Sequence, residues 1–257
     1  MVKFILRKVL TRKQFVFFRE FVLLNKALFS LRRFFAGIKG RKKLLIYVGV
    51  NHGSSLMTLL HRYDKVYAFE ADPRLAAAAV QKFKRLPHVH IMHAAVTDYD
   101  GEIDFFANDN DATSSLSKLK ENSMLRFNAN MKYQAITVPA VNLINFCKSH
   151  NIEFIDDYIS DIQGHDLQVL KTMQPFVEGK KIGTIQCEVY PDGGSSTYMD
   201  IFDNGFSSFK QLLEPNFKLV AMDCDTVLKD GLIRNNPEWT EFDCKWKRVD
   251  TNHNTKT

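Results

Sequence analysis

Leu44-Leu45-Ile46-Tyr47-Val48-Gly49-Val50-Asn51-His52-Gly53-Ser54-Ser55 and, after a short helical pattern, Lys65-Val66-Tyr67-Ala68-Phe69-Glu70 decide the fold. Leu44–Val48 is a continuous apolar, β-branched run, the pattern of a strand buried on both faces of a parallel sheet. Glycines follow at once, where a strand-to-helix turn needs a sharp bend and room for a ligand beside the backbone. Leu56, Leu59 and Leu60 then carry a helical pattern, and Lys65–Phe69 is a second strand with Glu70 at its tip. A strand, a glycine turn, a helix and a strand ending in an acid make the first unit of a doubly wound α/β sheet. An acid at that tip can accept hydrogen bonds from both hydroxyls of a ribose.

The spacing narrows the ligand. A dinucleotide fingerprint reads G-x-G-x-x-G, whereas Gly49 to Gly53 reads G-x-x-x-G. That favours an adenosyl ligand without a pyrophosphate. Working outward, Phe154 to Ile159 reads as a strand running into Asp161, with Gly164 opening a helix through Leu167, Val169, Leu170 and Met173. Ile182 to Cys187 reads as the next strand, leading to Glu188. Glu102–Phe106, Phe217–Met222 and Phe242–Trp246 read as further strands and Ser207–Leu213 as a helix. Asn108–Met131 and Tyr190–Ser196 read as loops placed to cover the site and line a pocket.

The chain has 257 residues, enough for one large domain, and its charge is unevenly spread. Met1–Lys43 holds thirteen Lys or Arg against Glu20, a net +12, so the remainder carries −6. The expected organisation is a basic amphipathic helical segment over 1–43, a catalytic domain over 44–250 and a frayed tail over 251–257. Arg19, Glu20 and Lys26 interrupt the apolar clusters of the front segment, which argues against a membrane span. No small-residue cleavage site marks a secretory leader. Three readings of this segment stay open: a helical cap on the domain, an interfacial helix on anionic lipid, or a nucleic-acid contact. Cys147, Cys187, Cys224 and Cys244 are far apart, without CxxC spacing. They read as reduced thiols of a cytoplasmic or membrane-peripheral protein, with no metal site.

Val48-Gly49-Val50-Asn51-His52-Gly53, then Ala68-Phe69-Glu70-Ala71-Asp72-Pro73, resembles the "DVGANxG" and "FEPxP" motifs of the FkbM family of S-adenosylmethionine-dependent methyltransferases. Further segments follow in the family's order. Ala94–Asp98 with Gly101 is similar to "AlsdxxG", Thr113–Leu116 to "sSL", and Val138–Leu143 to "VxvxtLD". Asp161-Ile162-Gln163-Gly164-His165-Asp166-Leu167 is similar to "DvEGxExxvL", and Ile185–Val189 to "ixxEv". The matches run from about Leu44 to Val189. Tyr47 stands where the family has a strand-end Asp, and Asn142 near where it has another. The first departure leaves the methionine end of the cofactor to some other group, such as Asp161.

The resemblance implies a mostly parallel seven-stranded methyltransferase sheet and S-adenosyl-L-methionine as cofactor. It carries cofactor contacts onto Gly49, Asn51, Gly53, Glu70, Ala71, Ala95, Asp98 and Ser115. The acceptor it implies is a hydroxyl, on a sugar or glycan or on a small metabolite. Moving a methyl group to oxygen requires removal of the acceptor proton. Asp161 is the expected central residue, His165 a candidate base and Glu188 a positioning group, all converging near the transferred methyl. Each has a plainer reading, Asp161 as a helix N-cap, His165 as a supporting residue and Glu188 as a structural partner. A divalent cation that acidifies the alcohol is an alternative to a side-chain base. Asp109 and Asp111 lack the glycine and glutamate of a calcium loop. Two other functions compete. An RNA methyltransferase would suit the basic front, but there is no D/N-P-P-Y/F motif and no aromatic-basic platform. A catalytically decayed, membrane-docked binding module is the non-enzymatic alternative.

Overall fold

The computed structural model describes residues 42–108, 113–120, 133–192, 197–201, 203–222 and 241–249. The expected front segment and tail, Cys224, and most of the two covering loops therefore lie outside the described residues. The expected strands are present: β1 (Leu44–Val48), β2 (Lys65–Glu70), β5 (Gly101–Asn108), β7 (Ile155–Ser160), β8 (Ile182–Val189), β9 (Phe217–Met222) and β10 (Phe242–Arg248). The structure adds β3 (Val89–His93), β4 (Ala95–Thr97) and β6 (Tyr133–Asn142), none of which has a long apolar run. Helices α1 (Ser54–Leu59), α2 (Pro73–Phe83), α3 (Leu143–Ser149), α4 (Asp166–Thr172), α5 (Gln174–Glu178) and α6 (Phe206–Leu213) connect them.

Seven strands form one sheet in the order β3-β2-β1-β7-β8-β10-β9, all parallel except β10, which runs antiparallel to both neighbours. The strand order reverses between β1 and β7, the switch point at which doubly wound sheets bind ligands. A small sheet, β4-β6-β5, stands at the same end.

The two faces of the large sheet are covered differently. On one face the core is continuous across the sheet, from Ile46 and Phe69 through Tyr158 and Ile185 to Trp246, beneath α3, α4, α5 and α6. On the other, α1 and α2 bury Leu45, Tyr47, Val66 and Ala68 against Leu56, Ala79 and Phe83. That second core ends at Ile159, so β8 and β10 have no apolar cover there among the described residues.

Two cap assignments follow from local geometry. The side chain of Asp72, ahead of Pro73, accepts the Arg74 amide at the start of α2. Asn142 caps α3 by accepting the amides of Ile144 and Asn145. Asn and Asp cap equally well, so replacing the family's Asp there leaves the cap intact. The helix expected to open at Gly164 begins at Asp166, with His165 in the N-cap position.

Candidate active site

The carboxyl ends of β1 and β7 meet at Gly49. Its φ is +84°, and a Cβ there would lie 2.0 Å from the Asp161 carbonyl oxygen. The glycine is thus required by the approach of the chain leaving β7, whose Asp161 amide donates to the Val48 carbonyl at 3.1 Å. Gly53 answers a different contact: a Cβ would lie 2.8 Å from the Phe83 ring, and φ is +64°. Gly53 does not line the crevice. The expectation that both glycines make room for a ligand is corrected: Gly53 serves the packing of α1 on α2.

Glu70 is held from two sides. The Asn51 amide donates to Oε2 at 2.6 Å and the Asp72 amide to Oε1 at 2.9 Å. A carboxylate has about four lone-pair sites, so each oxygen keeps one acceptor position free of these amides. Burial raises its pKa, and the amide hydrogen bonds work against that rise.

Around Glu70 is a crevice whose empty volume, the open solvent at its mouth included, is about 720 Å³. Gly49, Asn51, Glu70, Ala71, Ala95, Ser115 and Asp161 all line it, and Leu75, Val96, Phe105 and Leu116 give it an apolar wall. Asp98 does not line it. The Asp98 carbonyl accepts from Asn142 Nδ2 at 2.9 Å and its carboxylate from Gln168 Nε2 at 3.3 Å.

The three expected catalytic residues are not all brought together. Asp161 lines the crevice, and it caps no helix. Its side chain reaches solvent, yet the protein packed around it raises its pKa, while a hydrogen bond from Gln163 lowers it. His165 lies behind the crevice wall, with Nε2 3.0 Å from Ser117 Oγ and Nδ1 3.4 Å from Gln168 Oε1. Its pKa is depressed, chiefly by burial. A neutral imidazole there supports Ser117, whose amide donates to the crevice-lining Ser115 hydroxyl at 3.2 Å. Glu188 Oε2 is buried without a hydrogen-bond partner. Burial, then repulsion from Asp161, Glu241, Asp166 and Asp243, raises its pKa well above the usual carboxylate range. Of the expected trio, Glu188 is near enough to Asp161 to interact with it electrostatically, while His165 is not among the described residues that line the crevice.

Residues assigned no role at the site from sequence complete the surroundings. Tyr198 donates to Gln163 Oε1 at 2.5 Å, and Gln163 Nε2 donates to Asp161 Oδ1 at 2.8 Å. This chain fixes the Asp161 carboxylate. Gln163 has φ 57°, a left-handed conformation uncommon outside glycine. Asp166, fully buried, accepts the Ser160 hydroxyl and the Ile162 amide. Burial is the main cause pushing its pKa up to about 7. Its only signal in the sequence is its place in the "DvEGxE" match, whereas Tyr198 has none, lying 35 residues from its partner.

Tyr47 does not face this crevice. It is 7% exposed and hydrogen-bonded to Ser55 on the α1 side of the sheet, where burial and then Asp161 raise its pKa to about 12. The departure at position 47 thus takes no group away from the crevice. Among the described residues, no group of three or more His, Cys, Asp or Glu is arranged to hold a metal ion. Cys147, Cys187 and Cys244 are buried free thiols. No described helix is long and apolar enough to cross a membrane.

A family model described as the methyltransferase FkbM domain matches residues 48–213. The 2-O-methyltransferase NoeI of Sinorhizobium fredii (strain NBRC 101917 / NGR234) is 26% identical over 202 residues, covering 75% of this chain and 79% of its own. Solved structures with similarity include an rRNA methylase from Streptococcus thermophilus, with TM-score 0.45 and 10% identity over 89% of this chain and 95% of that one. N-methyltransferase NodS from Bradyrhizobium japonicum WM9 gives TM-score 0.42 and 12% identity over 91% and 97%.

Proposed function

Because this chain belongs to the FkbM methyltransferase family, and is a methyltransferase using S-adenosylmethionine, we propose that it methylates a hydroxyl of a carbohydrate acceptor. The observation that carries the reading is the position of Asp161, a carboxylate on the wall of the crevice that holds Glu70. The relative named as a 2-O-methyltransferase supports oxygen as the accepting atom.

The residues present fit the cofactor. Glu70 retains lone pairs for two ribose hydroxyls, the apolar wall of Leu75, Val96, Phe105 and Leu116 suits an adenine ring, and Ser115 and Asn51 offer polar contacts. When bound, S-adenosylmethionine supplies an electrophilic methyl group on a sulfonium sulfur. Asp161 takes the proton of the incoming hydroxyl. Gln163, held by Tyr198, keeps the accepting oxygen of Asp161 oriented. A raised carboxyl pKa suits this role, since a base nearer the working pH removes an alcohol proton more readily. Asp98, Gly53 and His165 act as support in this scheme, and Glu188, kept protonated by burial and by its acidic neighbours, adds no charge beside Asp161.

The test is transfer of radiolabelled methyl from S-adenosylmethionine by the full chain to a panel of mono- and oligosaccharides, with amine and carboxylate compounds as comparators. The expected result is alkali-stable label in the sugars, the mark of an ether rather than an ester. Label confined to amines or carboxylates would overturn the hydroxyl reading.

A further inference from the structure

The second large hollow lies on the other face of the sheet, with an empty volume of about 1400 Å³. It runs beside β1 from Lys43 at the amino end to Tyr47 at the carboxyl end. Four steps of strand span about 13 Å, so the hollow is a trench rather than a pit. Among the described residues, its floor comes largely from the half of the sheet that lies beyond the second core.

Register makes this floor polar. Tyr47 pairs with Ile159, Ile159 with Gln186, and Gln186 with Lys245, so these side chains form one row across four strands. Two residues back, Leu45, Asp157, Thr184 and Lys247 form the next. The intervening row, Ile46, Tyr158, Ile185 and Trp246, points to the opposite face and is fully buried. β8 and β10 therefore alternate polar and apolar residues, and β7 contributes Asp157 beside Ile159 on this face. A parallel sheet in this fold class is ordinarily apolar on both faces because helices cover both. Burying such a polar row under apolar helices would be costly, so its physical sense is to face water or a polar ligand.

The two hollows touch at one place. Asp161 is the residue common to the described linings of the crevice and the trench. Methyl transfer in line requires cofactor and acceptor to approach from opposite sides of the moving carbon, so their sites must adjoin at a single point. The Asp161 carboxylate marks that point.

We propose that the trench is the acceptor site, and that it takes an extended polyhydroxylated, carbohydrate-type acceptor whose reacting hydroxyl docks at Asp161. Both donors and acceptors line it. Lys43, Arg62 and Lys245 offer donors, and Asp243 and Gln186 offer acceptors. That balance of charge suits hydroxyl groups, which need both. This inference rests on the methyltransferase reading above and adds the acceptor's location and length.

The experiment uses the full chain with radiolabelled S-adenosylmethionine and a matched series from monosaccharide to tetrasaccharide. Acceptor KM is measured for the parent, Gln186→Leu and Lys245→Ala, and S-adenosylhomocysteine affinity is measured for each by calorimetry. The expected result is an acceptor KM that falls with chain length and rises about 5- to 20-fold in the two variants, as loss of one or two hydrogen bonds predicts. Cofactor-product affinity stays within about twofold, which also shows that both variants fold. Sugars methylated with an unchanged acceptor KM in both variants would overturn the trench and leave the proposed function standing. No methylation of any sugar in the series would overturn both.

Discussion

The two halves of the sheet follow different rules. In β1 and β2, residues on both faces are buried, with Leu45, Ile46, Val66, Ala68 and Phe69 all at 0% exposure. In β7, β8 and β10 one face is equally buried, while the other carries Asp157, Gln186 and Lys245. The first half offers function only at strand ends, where Gly49 and Glu70 sit. The second offers its face as well. A doubly wound sheet can thus present a site beyond its strand tips and a half-buried polar half-face beside it, with the switch-point residue Asp161 lining both hollows.

Substitutions can break this contrast. The largest effect is expected from Val66→Asp, which buries an unpaired charge between two layers. It should cost on the order of 4 kcal/mol or prevent folding, read by urea denaturation. A loss below about 1 kcal/mol would mean the first half is looser than described. Next comes Asp161→Asn, which preserves shape and an acceptor for the Gln163 amide. It should lower kcat by about 10²- to 10⁴-fold while binding S-adenosylhomocysteine normally. Retained activity would remove Asp161 from the chemistry.

Asp166→Asn reads the buried acidity. The native carboxyl keeps its proton up to about pH 7, whereas an unfolded Asp releases it near pH 4. Between these values the native state binds more protons, so this group makes stability fall as pH rises. The variant should gain in Tm relative to the parent progressively from about pH 4 to about pH 7 and keep that gain at pH 8. Parallel Tm curves would contradict the assignment. The smallest effect belongs to Gln186→Ala on the polar half-face. Its contact with Asp243 is long, 3.4 Å, so stability should change by less than about 1 kcal/mol. A larger loss would mean the face is structurally engaged.

What the sequence made legible follows the same division. β1, β2 and Glu70 stood out because a strand buried on both faces is a continuous apolar run. β3 alternates with histidines as Val-His-Ile-Met-His, and β6 carries Pro139 among polar residues, so neither shows such a run. Asp161 was readable from its place at a strand end. Its support was not, because Tyr198, Gln163 and Asp161 meet only through folding, and a glutamine between two polar loops has no periodicity to mark it. The surroundings of His165 and Glu188 were hidden for a related reason: His165 meets Ser117 across 48 residues, and Glu188 meets Asp161 and Asp243 only through the pairing of strands. The trench was illegible, since its polar row exists only through the register of four strands.

The central claim is that the crevice around Glu70 holds the adenosyl cofactor, and calorimetry with S-adenosylhomocysteine tests it most directly. The full chain should bind one equivalent. Glu70→Ala, which removes the ribose acceptor and frees the Asn51 and Asp72 amides, should bind about 10- to 100-fold more weakly. Absence of binding by the parent chain, or equal binding by both, would contradict the account.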